Sequence, residues 1–518
     1  MSDRAVALPG VGGGRQAVAL APPGSARRAE RALWIVVGIS VAIVVATAAL
    51  RAQANPILGA IVLSLVLVAA RRTLLSWQTM LGALLVVILF IPIRRYEIAG
   101  GLPFELEPYR VLVAVVLGCW FCALAADPEV RWRKTGLEAP IVTLLVAMLL
   151  SMVLNVGRVS ALSETVFKQL SFFVSYLLVL FFIVSVVARG RKLDRMLRLF
   201  VAGGTLLAVL SLIEWRTGTN MFNGLNRVLP FMQYVDFGDH VERGTGVRAL
   251  GSAQHPIALG AALVMLIPLT VYLHRRDGRS WWLLCAALLT LGALSTGSRT
   301  AALMLIALLV SFLCIKPRES LRLLPMLIPL VIVIQGVMPG TLGTFRVILQ
   351  PSYVIEEQST EMGTGTGRIA DLGPTLAQWS HNPFLGQGFG TRVLASELGT
   401  GGVGNVDGEQ ILDNQWLGWL LDVGAVGVLG LLWLFCRSIR RLAQRARSDT
   451  GPDGWLATSL AASLASFAIG MFTFDAFAFI QVTFFAFIVL GFAAVAMNSG
   501  APLAGRSRAP AQAPTAAA

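Results

Sequence analysis

Charge is what this sequence has least of. Of its 518 residues only 14% are Asp, Glu, Lys or Arg, while 56% are hydrophobic. Soluble domains carry about 25% charged residues, so an ordinary soluble enzyme is excluded. With a mean hydropathy of +0.73, the chain reads as a polytopic membrane protein. Lysine is nearly missing: Lys134, Lys168, Lys192 and Lys316 are the four among 42 basic residues. The net charge of +14 would suit nucleic acid, but the arginines sit in short clusters between apolar runs, and such clusters are topology signals first. Histidine (four) and cysteine (five) are scarce, and no group of them has metal-ligand spacing. Cys119 and Cys122 form a CxxC inside the apolar stretch Val116–Cys122 and read as packing. A cleaved leader is not expected, because the apolar run behind the Ala/Gly/Pro/Arg-rich residues 1–31 is long enough to stay as an anchor.

What is present is a succession of apolar runs. A membrane-spanning helix needs about 20 mostly apolar residues, and on that template fourteen segments qualify: 33–50, 55–70, 74–93, 111–126, 139–156, 169–188, 199–215, 256–273, 281–296, 300–315, 323–339, 412–436, 455–474 and 476–497. The expectation is therefore an all-α polytopic membrane protein with about fourteen spans (12–14). Its parts would be a disordered tail (1–31), an N-terminal bundle (32–215), a second membrane domain (216–497) and a disordered tail (498–518).

Orientation follows from charge. With both termini cytoplasmic, the inner segments hold 28 basic against 10 acidic residues, and the remainder 14 against 18. The inner side is thus +18 and the rest −4, which the positive-inside rule favours. Two long non-spanning segments, 216–255 and 340–411, then fall outside. Loops longer than about 12–15 residues usually have a function or lack structure. In the second, Ile369, Leu372, Leu376 and Trp379 recur at helical spacing, which predicts an amphipathic helix against the membrane or the bundle, kinked by Pro374.

Three outward arginines are candidates for an anionic ligand. Arg248 opens Arg248-Ala-Leu-Gly-Ser-Ala-Gln-His255 ahead of Pro256, Arg299 follows Gly297-Ser298 in a tight turn, and Arg368 closes Gly363-Thr-Gly-Thr-Gly367. Guanidinium forks match phosphate oxygens; interfacial snorkelling or pairing with outer acids is the plainer reading of any one of them. Gly386-Gln-Gly388-Phe-Gly390 would let backbone N–H groups approach a ligand or is simply a loop. His255 before Pro256 reads as structural more readily than catalytic. Asp413-Asn414 either caps the run 412–436 or offers Asp413 as a general base at the outer membrane face.

Taken in order, Arg248-x-x-Gly251 with His255-Pro256, Gly297-Ser298-Arg299, Gly367-Arg368, Trp379, Pro383, Gly386-x-Gly388-x-Gly390 and Asp413-Asn414-x9-Gly424-x-x-Gly427 resemble the O-antigen ligase and polysaccharide polymerase superfamily over about residues 245–435. The resemblance implies a metal-independent, cofactor-free inverting glycosyltransferase at the outer face of the bacterial cytoplasmic membrane. Its donor would be a glycan on undecaprenyl diphosphate, its acceptor a sugar hydroxyl, and its pathway partners a flippase and a chain-length regulator. It carries diphosphate contacts onto Arg248 and Arg368, and less directly onto Arg299. Asp413 becomes the base, with Asn414, His255, Gly386 and Gly388 on the substrate side.

One position departs from the pattern. Ligases of the family usually have His where this chain has Asp413, which favours a polymerase or another glycan-joining role over lipid A-core ligation. The alternatives are a flippase for lipid-linked glycans, against which stands the lack of repeats or interrupted helices, and a cell-wall glycan synthase of the shape and division type, for which Asp407 or Glu409 would serve as the acid.

Overall fold

In the computed structural model the described residues are 76–98, 107–127, 130–187, 190–229, 232–235, 242–243, 246–322, 325, 327–337, 372–392 and 412–498. Within them the apolar runs become helices that end where glycine, proline or clustered charge interrupts them. In chain order these begin with α1 (Trp77–Phe90), α2 (Pro108–Ala126), α3 (Glu138–Leu154), the short α4 (Val156–Ala161), α5 (Ser163–Val186) and α6 (Arg191–Thr217). Next come α7 (Pro256–Asp277), α8 (Trp281–Ser295), α9 (Arg299–Ile315), α10 (Pro317–Leu321) and α11 (Leu327–Val337). The last are α12 (Leu372–Trp379), α13 (Gln415–Ser448), α14 (Pro452–Gly470) and α15 (Ile480–Asn498). Two small antiparallel ribbons accompany them: Tyr96–Ile98 pairs with Met232–Tyr234, and Glu242–Arg243 with Gly246–Val247.

The expected fourteen spans are corrected by these helices. Six described helices are long and apolar enough to cross a bilayer: α2, α5, α6, α7, α13 and α15. Four more are apolar but short, namely α1, α3, α8 and α9. The discrepancy has a physical origin, since an apolar run measures composition and not helix length. The run 281–296 ends as a helix at Ser295 because Gly297 turns the chain with φ 58°. The run 455–474 becomes α14, whose Asp453, Thr458, Ser459, Ser463 and Ser466 dilute its apolar character. Segments 33–50 and 55–70, most of the loop 340–411, and both tails lie outside the described residues.

Helices α7 and α15 form the centre. Every residue of α15 from Ile480 to Met497 is buried, as expected of a helix that is apolar all round. Ser463 of α14 donates its Oγ to Met265 O of α7 at 2.7 Å, and Phe200 of α6 packs edge-on to Phe485 of α15 with centroids 4.8 Å apart. α3 and α2 lie outside this centre and expose Val142, Leu149, Val153 and Phe121.

The basic segments meet at one end of the bundle. Arg437 and Arg441 of α13 both donate to Gly136 O, at 2.8 and 3.2 Å. Lys316 donates to Asp449 O at 3.0 Å, Arg198 pairs with Asp277 at 2.7 Å, and Arg276 with Asp194 at 3.3 Å. The helix starts of α7, α13 and α15 lie at the opposite end, and there the candidate residues gather.

Candidate functional site

The loop Arg248–His255 is a polar strap held inside the bundle by side chains from three other segments. Glu214, near the end of α6, accepts from Gly251 N at 2.7 Å, Leu250 N at 3.2 Å and Asn220 Nδ2 at 2.9 Å. Arg95 donates to Gly251 O (3.3 Å) and Ala253 O (2.6 Å). Gln481 of α15 donates to Ser252 Oγ at 3.0 Å and to Ile88 O at 2.7 Å. Buried backbone polar groups must be paired, and these three side chains do that for a non-helical segment sunk among helices. The strap ends at His255, which caps α7: its Nδ1 accepts from Ile257 N at 3.2 Å. Its ring stacks on Phe479 with centroids 5.6 Å apart. Burial, with the Arg248 charge adding to it, pushes the imidazole down to about 4.

At the start of the strap, Arg248 Nε donates to Thr296 O at 2.8 Å, and Ala249 N to Ser295 O at 3.1 Å. Arg248 is therefore seated on the turn that begins α9 at Arg299, where Ser298 caps the helix by accepting from Ala301 N. Thr300 in turn meets Thr473 through their hydroxyls at 2.9 Å. The connection between α14 and α15 then reaches α13. Gln415 N donates to Met471 O (2.9 Å) and Phe474 O (3.1 Å), and Gln415 Oε1 accepts from Phe477 N (2.6 Å). Through this chain of contacts Arg248, His255, Arg299 and the Asp413–Asn414 pair share one end of the bundle.

The pair itself divides its roles. Asn414 is the N-cap, its Oδ1 accepting from Trp416 N at 3.0 Å and Leu417 N at 3.2 Å. Asp413 precedes the cap, half-buried, and its charge acts on Asp475.

α13 is broken at Gly424, where φ is 74° and ψ −171°. The segment Pro383–Gly388 docks into the break. Gln387 N donates to Leu421 O (2.8 Å), Gly388 N to Asp422 O (3.3 Å), Ala425 N to Pro383 O (2.9 Å) and Val426 N to Phe384 O (3.1 Å). Ser151 of α3 adds its Oγ to Asp422 O at 2.7 Å. The N–H groups of Gln387 and Gly388 thus serve helix α13. Side chains are barred at both glycines, since a Cβ on Gly386 would run into Leu421 O and one on Gly424 into Phe384 O. The break overturns the expectation that no helix is interrupted, because Gly424 takes a backbone conformation that an apolar run does not reveal. α12 lies just ahead, with Pro374 in its first turn, where a missing N–H costs nothing. Trp379 ends it by donating to Pro383 O at 2.8 Å.

Other residues of this end escaped the sequence reading. Arg392 pairs with Asp475 at 2.8 Å and lies 3.9 Å from Asp422. Burial pushes the Asp475 carboxyl up, and the Arg392 charge opposes it. A detectable signal existed for Glu214 and Asp422: each is an acid in the apolar stretch of its helix, where ionisable groups are retained for a reason. Arg368 and the Gly363–Gly367 run lie outside the described residues, as do Asp407 and Glu409. Among the described residues no group of three or more His, Cys, Asp or Glu side chains is arranged to hold a metal ion.

Helices of this length and apolarity make the chain a multi-pass membrane protein. Residues 283–432 match the family model described as O-antigen ligase, and this match supports glycan transfer at the membrane of the O-antigen ligase and polymerase type. The match runs from within α8 into α13 and takes in Arg299, Arg368, the Gly386–Gly390 segment, Asp413 and Asn414; Arg248 and His255 lie ahead of it. No curated protein matches the chain.

Proposed function

We propose that this chain joins or polymerises a glycan carried on undecaprenyl diphosphate to a sugar hydroxyl at the outer face of the bacterial cytoplasmic membrane, by a metal-independent inverting transfer. The acceptor hydroxyl oxygen attacks the anomeric carbon of the donor. The bond from that carbon to the diphosphate oxygen breaks, and its electron pair leaves with the diphosphate. Asp413 accepts the hydroxyl proton. Arg248 and Arg368, together with Arg299, stabilise the negative charge that develops on the leaving group, the kind of fixed electrostatic support that needs no reorganisation during reaction. Asn414 and His255 hold the helix starts on which this end is built. Gly386 and Gly388 shape the segment beside it.

The observation that carries the proposal is the common location of Arg248, Arg299 and Asp413, far apart in sequence, at the end of the bundle opposite the basic clusters. The interrupted helix α13 favours a flippase as the second reading, since transporters build sites from discontinuous helices. Here the carbonyls freed by the break at Leu421 and Asp422 are taken by residues 387 and 388.

The test is turnover by purified protein given a lipid-linked oligosaccharide in EDTA, with products sized on a gel. A ladder identifies a polymerase, and a single new band that requires added acceptor identifies a ligase. No release of undecaprenyl diphosphate with any acceptor would overturn the transferase reading in favour of the flippase.

A further inference from the structure

Gln415, two residues after Asp413, lines a cleft partly open to solvent, whose residues have so far been given no part in the reaction. One wall is an aromatic cluster around Trp419, whose ring centroid lies 5.4 Å from Phe173, 5.7 Å from Phe389 and 5.3 Å from Phe477. The other wall is polar and holds Gln169, Gln415, Arg94 and the Arg392–Asp475 pair with Asp422.

Three features set this cleft apart from packing. First, Arg392 Nη1, Asp475 Oδ1, Tyr176 OH and Trp419 Nε1, all on residues lining it, are buried with no hydrogen-bond partner among the described residues. Buried polar atoms are nearly always paired, so four exceptions around one cleft point to a ligand that pairs them. Second, Arg94 has φ 66°, the one positive value among the described non-glycine residues, and its N–H is fixed by Glu107 Oε1 at 2.6 Å. Backbone held in that region is costly and concentrates at functional positions. Third, the charged lining balances: Arg94 and Arg392 face Asp422 and Asp475. A diphosphate entering here would meet two carboxylates, and an acyl chain would strand the polar atoms. A neutral sugar fits both walls, its hydroxyls donating to carboxylates and accepting from guanidinium and amide, its C–H faces lying on the aromatic rings.

We propose that this cleft binds a neutral saccharide unit of the acceptor glycan and delivers its hydroxyl to Asp413, two residues before the lining residue Gln415. The assignment rests on the transferase reading above for the word acceptor; that the cleft takes a neutral saccharide stands on its lining alone.

The experiment is calorimetric titration of the detergent-purified full chain with the neutral repeat-unit oligosaccharide of the cell-surface glycan, freed of lipid and phosphate. Gln169→Leu and Phe477→Leu are each expected to weaken binding about tenfold, as loss of a hydrogen bond or a stacked ring does. Arg248→Ala should stay within about twofold of the unaltered chain, and excess inorganic pyrophosphate should not displace the saccharide, consistent with the charge balance of the lining. Gln169→Leu is nearly isosteric at a half-buried position, so it keeps the test open should Phe477→Leu fail to fold. Unaltered affinity in folded Gln169→Leu, displacement by pyrophosphate, or no saccharide binding at all would overturn the proposal. Saccharide binding without turnover of any donor would sink the transferase reading and leave the cleft standing; turnover without saccharide binding would do the reverse.

Discussion

Arg248 Nε lies 2.8 Å from Thr296 O, so the arginine ahead of α7 takes its direction from the turn between α8 and α9. A lysine there has neither the Nε donor for Thr296 nor a planar fork for phosphate. Arg248→Lys is expected to lower the rate of diphosphate release by about 10²–10³-fold, the usual effect of removing one fixed charge-stabilising donor. Arg248→Ala and Arg368→Ala should abolish product while the protein still inserts and melts normally. Normal glycan length and amount from either alanine variant would refute the arginine assignment.

The division of labour between Asp413 and Asn414 makes a paired prediction. Asn414 supplies both cap hydrogen bonds, so Asn414→Ala should cost about 1 kcal/mol of stability and appear as a lower melting temperature. Asp413→Asn leaves the cap intact and takes away the carboxylate that would accept the proton. It should slow turnover by about 10²–10⁴-fold, the range for general-base loss. A mild kinetic effect would mean that Asp413 serves structure alone.

How far this was readable beforehand differs from residue to residue. The cores of α2, α5, α6, α7, α13 and α15 follow from long apolar runs, and the Asn414 cap follows from a polar residue placed ahead of one. The number of spans does not follow, because Gly297 and the serines of α14 shorten or dilute helices without erasing the apolar composition around them. The Arg392–Asp475 pair joins residues 83 apart in sequence, and no local pattern announces such a partner. Gly424 stood in a recognisable Gly-x-x-Gly, yet the break it makes depends on a segment that arrives from residues 383–388.

His255 gives a pH prediction. Its imidazole is pushed down to about 4 in the folded protein, from an ordinary 6.5. Between those values the unfolded chain binds the proton and the folded chain does not, so stability rises with pH across this window and levels off above it. Acidification from pH 7 to pH 4 should therefore destabilise the protein by an amount on the order of 3 kcal/mol, at about 1.36 kcal/mol for each unit. Asn is an equally good N-cap acceptor that does not titrate. His255→Asn should accordingly flatten the dependence of melting temperature on pH over that window, and an unchanged slope would assign the acid sensitivity elsewhere.

Gly386 and Gly424 occupy the two sides of one junction, and their substitutions should not add. Gly424 sits at φ 74° and Gly386 at φ 68°, backbone that L-residues adopt only under strain. A Cβ on either also collides with the other side's carbonyl, Phe384 O or Leu421 O. Each single alanine should therefore expel Pro383–Gly388 from the break in α13 and leave the carbonyls of Leu421 and Asp422 without the N–H groups of residues 387 and 388. That loss, with the strain, is expected to cost roughly 3–5 kcal/mol. Once the segment has left, the second alanine has little further to displace, so the double variant should melt within a few degrees of the worse single one, the behaviour of sites that share one interaction. Gly118 in α2 is the control, because a Cβ there meets nothing within 4 Å and a helical Gly→Ala change stabilises by about 0.5–1 kcal/mol. Additive losses at residues 386 and 424 would show that the two glycines act through separate contacts, and that the docked segment is not the element that holds the broken helix in shape.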